Sequence, residues 1–242
     1  MTSFDYLRHA VYYDGALDNK YDPLPGMRLM SLLETLGPDY EPRRLSTKVE
    51  QSCRKLAFMW TAGDWARAAE SDFYASAVRE SPALFGQEAV NVQYHLEALV
   101  LFARSALDIG SACFGELLPP PFVSKRYDSF NDLLKAIVKT GNPSHLASAI
   151  KSWRDDEHSW LSIVADIQRG RSLRDKLAHQ IEFPLAYEEL DSSSEKESAV
   201  VVLGRHYRIP LQQFIDKLRV GTVECYLVIE SACLADASRF SS

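Results

Sequence analysis

An arginine and a histidine stand five positions apart in a strongly charged stretch of the chain, RSLRDKLAHQ at residues 171–180. Arg174 carries a planar guanidinium, whose fork of N–H donors suits two oxygens of a phosphate. His179 carries an imidazole, a group that ordinarily titrates near neutrality and so can accept or donate a proton. Cleavage of RNA by internal transfer needs both kinds of group, because the 2′-hydroxyl attacks the phosphorus and the leaving oxygen takes up a proton. Both residues are therefore candidate catalytic residues.

The neighbours of this pair add further charge. Asp175 precedes His179 by four positions, so the two share a helix face, and the carboxylate can orient the imidazole and favour its charged form. Arg169, Arg171 and Lys176 form a local basic patch, although the whole chain has a net charge of −6. Such a patch is suited to phosphates that flank a cleaved bond. We expect Asp175 to assist the catalytic pair and the three basic residues to bind RNA phosphates.

A helix that begins at Leu173 would position these groups. Glycine is common just beyond a helix end, the place that Gly170 would take here. Ser172 and Asp175 resemble a capping box. Asp175 cannot easily close that box and also orient the imidazole of His179. Arg174 then lies in the first turn, where the backbone amides and the helix dipole favour an anion. Residues five apart differ by about 140° around a helix axis. Either the arginine side chain curls back, or two copies of the site meet across a twofold axis.

A second polar set lies upstream. Glu97, Arg104 and Asp108 fall at positions 0, +7 and +11, which is one stripe of a long helix. Two interpretations stay open for this stripe. It forms a buried salt-bridge network that lines a cleft opposite Arg174, or it is an exposed face with one ion pair between Arg104 and Asp108.

The apolar periodicity predicts a mainly α protein, an antiparallel helical bundle with a small β-hairpin insertion near residues 181–208. Residues 1–44 are expected to be an N-terminal extension with one short helix near 27–36, and residues 45–242 a single helical domain. Helices are predicted from Leu45 onward with Ser46 or Thr47 as the cap, and near 87–118, 129–139, 144–154, 156–168 and 210–237. The strands are predicted in IEFPLAYEEL and SAVVVLGRHYRI, on either side of a polar loop.

Composition excludes several classes. The four cysteines are scattered among apolar neighbours, which predicts reduced core thiols. No stretch of 18 apolar residues and no secretory leader are present, so we expect a cytoplasmic protein without membrane association. The histidines lack metal-ligand spacing, and no nucleotide-binding glycine motif occurs, so no metal and no cofactor are expected.

The segment LRDKLAH resembles the R-x4–6-H motif of the HEPN superfamily, in which the residue after the arginine is usually polar. The upstream segment YHLEALVLFARSALDIGSACFGEL is also similar to the helix that lies beside the motif in that superfamily. The resemblance implies a bundle of antiparallel helices, usually a homodimer. Many HEPN proteins are metal-independent endoribonucleases of toxin–antitoxin, phage-defence and RNA-processing systems.

By this resemblance, Arg174 would bind the scissile phosphate and stabilise the transition state, and His179 would act as general acid or base. The substrate would be single-stranded RNA, and an antitoxin or another protein would be a partner. A non-catalytic HEPN-like module that binds RNA, a nucleotide or a protein is the alternative. A third hypothesis is an unrelated helical interaction protein that docks through its tyrosine-rich N-terminal extension.

Overall fold

The computed structural model describes residues 3–12, 21, 23–37, 41–77, 86–119, 126–156, 158–165, 172–178, 183–187, 199–203 and 207–235. Its helices are α1 (Ser3–Tyr12), α2 (Met27–Thr35), α3 (Pro42–Ala77), α4 (Gly86–Leu117), α5 (Phe130–Thr140), α6 (Ser144–Asp155), α7 (Leu161–Val164), α8 (Leu173–Ala178) and α9 (Leu211–Leu234). Its strands are β1 (Leu185–Ala186), β2 (Val200–Leu203) and β3 (Tyr207–Pro210). The prediction of a mainly helical protein is confirmed.

The long helices α3 and α4 pack against each other along their length. The predicted inner face of α3 is buried at every position: Val49, Cys53, Leu56 and Trp60. The predicted inner face of α4 is likewise buried: Leu96, Leu99, Val100, Ala103, Leu107 and Phe114. Helix α3 begins at Pro42, a residue suited to a first helical turn, so the predicted cap at Ser46 or Thr47 is wrong.

The shorter helices α5 and α6 occur where the sequence predicts them. Ser129 caps α5, because its hydroxyl accepts a hydrogen bond from the Asp132 amide at 3.2 Å. Helix α7 is shorter than predicted and begins only at Leu161. Asp156 accepts the backbone N–H of His158 at 2.9 Å, which forms a turn that competes with the helix.

The region predicted to be a β-hairpin is a three-stranded antiparallel sheet in the order β1-β2-β3. The segment SAVVVLGRHYRI contains two strands, not one, and Val201 pairs with Leu185 on one side and Ile209 on the other. The sheet is joined to the helices by Glu70 of α3, which accepts the backbone N–H of Ala199 at 2.7 Å. His206 lies outside the described residues.

The described parts of residues 1–44 pack into the same core as the rest of the chain. Helix α2 confirms the short helix predicted near residues 27–36, and Leu29 and Leu33 are buried. Helix α1 packs against α3, and its Leu7 is fully buried. The division of the chain at residue 44 stays a prediction.

Glu230 of α9 connects the end of the chain to α2. Its side chain is buried and accepts the backbone N–H of Leu29 at 3.1 Å, across 201 positions of sequence. Burial raises the pKa of this carboxyl above its ordinary value, and the amides of Leu29 and Gly26 at the start of α2 oppose that shift. The carboxylate satisfies an amide that an isolated helix end leaves without a partner.

Arg219 of α9 is the largest side chain among the fully buried described residues. Its guanidinium donates to Asp64 Oδ1 at 2.6 Å and to the backbone carbonyl of Trp60, and lies 4.8 Å from the centre of the Trp60 ring. A Cβ at Gly63 would lie 2.6 Å from Arg219 Nε, so glycine leaves the room that the arginine occupies.

The four cysteines are buried and no disulfide joins any two of them, which confirms the prediction of core thiols. Burial raises the pKa of Cys113 to about 12, so this thiol is protonated at neutral pH. Among the helices in the described ranges, α4 is long and apolar enough to cross a membrane, and 67% of its most apolar window is buried inside the protein. That burial is typical of a core helix, and the expected lack of membrane association stays a prediction.

We expect Gly221→Ala to lower the free energy of unfolding by about 1–3 kcal/mol, as for overpacked core sites. A Cβ at Gly221 would lie 2.2 Å from Cγ of Trp160. Gly86→Ala is the matched control, because it also adds a methyl to a helical glycine but meets no atom within 4 Å. Urea unfolding of both variants measures the difference, and equal stabilities would contradict this packing.

Glu230→Gln should become more stable relative to the wild type as pH rises. Glutamine keeps an oxygen acceptor for Leu29 but has no charge. The pKa of Glu230 in the folded protein lies above its ordinary value of 4.5, so the wild type loses stability as pH rises from about that value through the folded pKa. Unfolding curves at several pH values from acid to neutral test this, and a constant difference would contradict it. Glu230→Leu removes the acceptor as well as the charge, and should be less stable than Glu230→Gln by about 1–3 kcal/mol across that range.

Candidate functional site

The helix that contains the charged motif is short and firmly attached. Helix α8 begins at Leu173, as predicted, and packs against α7 and α4. Ser172 and Leu173 are buried, and Leu177 packs against the hydrophobic core. Arg174 is therefore held half-buried beside a fixed element, which restricts where its guanidinium can reach.

Only part of the predicted catalytic set lies in the described residues. Asp175 and Lys176 belong to α8, but only their backbone is described. Three further residues lie outside the described residues: Arg169, Arg171 and His179. The joint action of Arg174 and His179 on one phosphate stays a prediction, as does the binding of flanking phosphates.

Arg104, in the stripe on α4, is buried and makes several hydrogen bonds. Its Nε donates to Asp108 Oδ2 at 2.8 Å, and its Nη1 donates to Asn131 Oδ1 at 2.9 Å and to the carbonyl of Val164 at 2.8 Å. The guanidinium also lies 5.9 Å from the centre of the Phe130 ring. The predicted ion pair between Arg104 and Asp108 is thus present, but Arg104 is buried and Asp108 only partly exposed, so the two do not form an exposed face.

Asp108 uses its other oxygen to hold a helix end. Its Oδ1 accepts the backbone N–H of Phe130, the first residue of α5, at 2.8 Å. A carboxylate at that position satisfies an orphan amide and favours the positive end of the helix dipole. Arg104 and Asp108 together connect α4 to α5 and to the end of α7, which in turn packs on α8.

Glu97 does not share that network in the described structure. It is partly exposed and accepts a hydrogen bond from Gln93 Nε2 at 3.2 Å. The three residues predicted as one cleft stripe therefore divide into a buried structural pair and a separate surface carboxylate.

A groove between α3 and α4 was not predicted from the sequence. Its volume is about 730 Å³, and its lining includes Trp65 and Asp72 of α3 and Glu88, Asn91 and His95 of α4. The rings of Trp65 and His95 lie 5.4 Å apart, and burial lowers the pKa of His95. The signal in the sequence was the seven-residue spacing of Trp65 and Asp72 on one exposed helix face.

Comparison of the chain with protein-family models, with curated proteins and with solved structures found no match. Within the described residues, no three histidine, cysteine, aspartate or glutamate side chains are grouped so that they could hold a metal ion. The fold and the site define a mainly helical protein with a small antiparallel sheet, in which a buried arginine network supports the attachment of the motif helix.

Arg104→Ala should lower the free energy of unfolding by about 3 kcal/mol, because it leaves Asp108 without its partner in a partly buried place. Glu97→Ala, on the same stripe, should change that free energy by less than about 0.5 kcal/mol. Chemical denaturation of both variants tests the division of the stripe. Comparable losses would show that Glu97 belongs to the network.

Proposed function

We propose that this protein is a metal-independent endoribonuclease of HEPN type that cleaves single-stranded RNA. One observation carries the proposal: the motif helix α8, with Arg174 in its first turn, packs directly on the long helix α4. This is the pairing of a long upstream helix with a motif helix that the resemblance implies. It supports a site on a rigid element, where a guanidinium can be held in position for a phosphate.

The chemistry follows from the two predicted catalytic side chains. The 2′-hydroxyl loses its proton as its oxygen bonds to phosphorus, and the bond to the 5′-oxygen breaks as that oxygen gains a proton. His179 serves one of these two proton transfers as general acid or base, and Arg174 stabilises the negative charge on the phosphoryl oxygens. The products carry a 2′,3′-cyclic phosphate and a 5′-hydroxyl, and no metal ion takes part.

The neighbouring residues complete the proposed site. Asp175 orients the imidazole of His179, while Arg169, Arg171 and Lys176 bind phosphates on either side of the cleaved bond. The proposal includes an antiparallel helical bundle, a homodimer with a shared cleft, an antitoxin or other protein partner, and a cytoplasmic location. A role in a toxin–antitoxin system or in phage defence is consistent with that chemistry.

A second candidate is a non-catalytic HEPN-like module that binds RNA, a nucleotide or a protein. The observation that favours it is the internal use of Arg104 and Asp108. Both carboxylate oxygens of Asp108 accept hydrogen bonds within the protein, and Arg104 has three acceptors there. This part of the proposed cleft stripe thus stabilises the helices and is not available to a substrate.

The proposal predicts that the purified protein cleaves single-stranded RNA in the presence of EDTA and leaves cyclic phosphate ends. His179→Ala and Arg174→Ala should each reduce the cleavage rate by at least about 100-fold, the usual contribution of a positioned acid–base or charge-stabilising group. Arg174→Lys should restore little, because lysine keeps the charge but lacks the planar fork.

Arg126→Ala, which changes an exposed arginine outside the motif, is the matched control and should cleave like the wild type. Circular dichroism checks that each variant is folded. Undiminished cleavage by the His179 and Arg174 variants would disprove the proposed site. RNA binding without cleavage by the wild type would favour the second candidate.

A further inference from the structure

A small groove lies between the short helices α5 and α6, and we refer to it as the α5–α6 groove. Its volume is about 250 Å³. Part of its lining is aliphatic, with Leu134 and Val138 from α5 and Ile150 from α6. Leu134 and Ile150 belong to the buried core, so this aliphatic surface is held in place. A concave aliphatic surface can contact the flat face of a nucleobase.

The charged side chains that line the α5–α6 groove within the described ranges are all cationic: Lys135, Lys139 and Arg154. Lys135 and Lys139 are exposed and four positions apart, so they share a face of α5 about 6 Å apart along its axis. Neither lysine has an ion pair with a residue in those ranges. Arg154 lines the groove from α6 and pairs with Asp155 at 3.4 Å. In a chain of net charge −6, this local concentration of positive charge favours an anionic ligand.

Arg104 joins this groove to the elements that hold the motif helix. Asn131 lines the groove, and its Oδ1 accepts a hydrogen bond from Arg104 Nη1 at 2.9 Å. The same nitrogen donates to the carbonyl of Val164, the last residue of α7, at 2.8 Å. Helix α7 contacts both α6 and α8. Since the axes of packed helices are about 8–10 Å apart, α6 and α8 are separated by no more than about 20 Å.

We propose that the α5–α6 groove binds a nucleotide of single-stranded RNA that lies up to about six positions from the cleaved bond, at about 3.4 Å per stacked nucleotide. The base contacts the aliphatic surface, and the phosphates on either side of it contact Lys135, Lys139 and Arg154. This inference rests on the proposed function, because the same strand passes Arg174 on α8. Only an unpaired base can turn its face into the groove, so the groove selects a single strand over a duplex.

The combination of aliphatic and cationic side chains selects RNA among anionic ligands. A free phosphate would use the cations but leave the aliphatic surface in contact with water, and a fatty acid would bring a single carboxylate to three cations. A strand of RNA supplies a base for the aliphatic surface and a regular series of phosphates for the cations. Lys135 and Lys139 act as point charges and read no base edge, so the groove holds the strand without a sequence preference.

Fluorescence anisotropy with a labelled single-stranded RNA of about 20 nucleotides tests the groove, in chains that also carry His179→Ala so that the RNA stays intact. The double variant Lys135→Gln/Lys139→Gln should raise the dissociation constant about tenfold at low salt. It should also reduce the slope of log K against log salt concentration by about 1.4, because each phosphate contact to a single strand contributes about 0.7.

Cleavage kinetics separate this groove from the catalytic residues. In the chain that keeps His179, the same double variant should raise KM for the long RNA about tenfold and leave kcat unchanged, because the groove holds RNA equally before and during the reaction. A dinucleotide is too short to reach the groove from α8, so the double variant and the wild type should cleave it with equal kcat and KM.

Lys48→Gln/Lys55→Gln is the matched control, because it removes the same charge from two lysines of α3 and should bind RNA like the wild type. Circular dichroism checks that every variant is folded. Equal affinity and equal salt slope for the groove variant and its parent would overturn the proposal. Binding of dodecanoate without binding of RNA would also overturn it and assign the groove to an amphiphilic anion.

The two proposals can fail separately in these experiments. If the wild type does not cleave RNA but the groove variant loses affinity and salt slope as expected, the groove is supported and the catalytic site is disproved. If the dinucleotide is cleaved but the groove variant binds the long RNA like its parent, the catalytic site is supported and the groove is disproved.

Discussion

The packing of α3 against α4 is the contact on which the rest of the structure depends. These helices have 36 and 32 residues, and the apolar faces predicted from their sequence are buried along the pair. Burial of leucine, valine and aromatic side chains is the main stabilising contribution here, at about 25 cal/mol per Å² of apolar surface. Helices α1, α2 and α9 pack on α3, while α5, α7, α8 and α9 pack on α4. Every described functional candidate is therefore positioned relative to this pair.

Buried charged side chains connect parts of the chain that lie far apart in sequence. Glu230 reaches the start of α2 across 201 positions, Glu70 reaches the sheet across 129, and Arg219 reaches Asp64 across 155. Each of these charges has hydrogen-bond partners that offset the cost of removing it from water. A polar group of this kind specifies one arrangement of the elements, because other arrangements would leave it buried without a partner.

The network around Arg104 links this framework to the charged motif. Arg104 and Asp108 hold α5 and the end of α7 against α4, and α7 in turn contacts α8. Arg174 thus lies on a helix that packs on two of the elements joined by this network, α4 and α7.

The sequence by itself determined the helical class, the inner faces of α3 and α4, the start of α8 and the buried state of the cysteines. Those features follow from local periodicity, capping residues and hydrophobicity, which act over a few turns of chain. Only the tertiary structure decided that Arg104 is buried while Glu97 is not, that Trp65 meets His95, and that SAVVVLGRHYRI contains two paired strands. A helical stripe does not reveal which neighbour covers it, and partners more than a hundred positions away are set by packing. For the same reason, the spacing of Trp65 and Asp72 in the sequence did not reveal that residues of α4 complete the groove between the two helices.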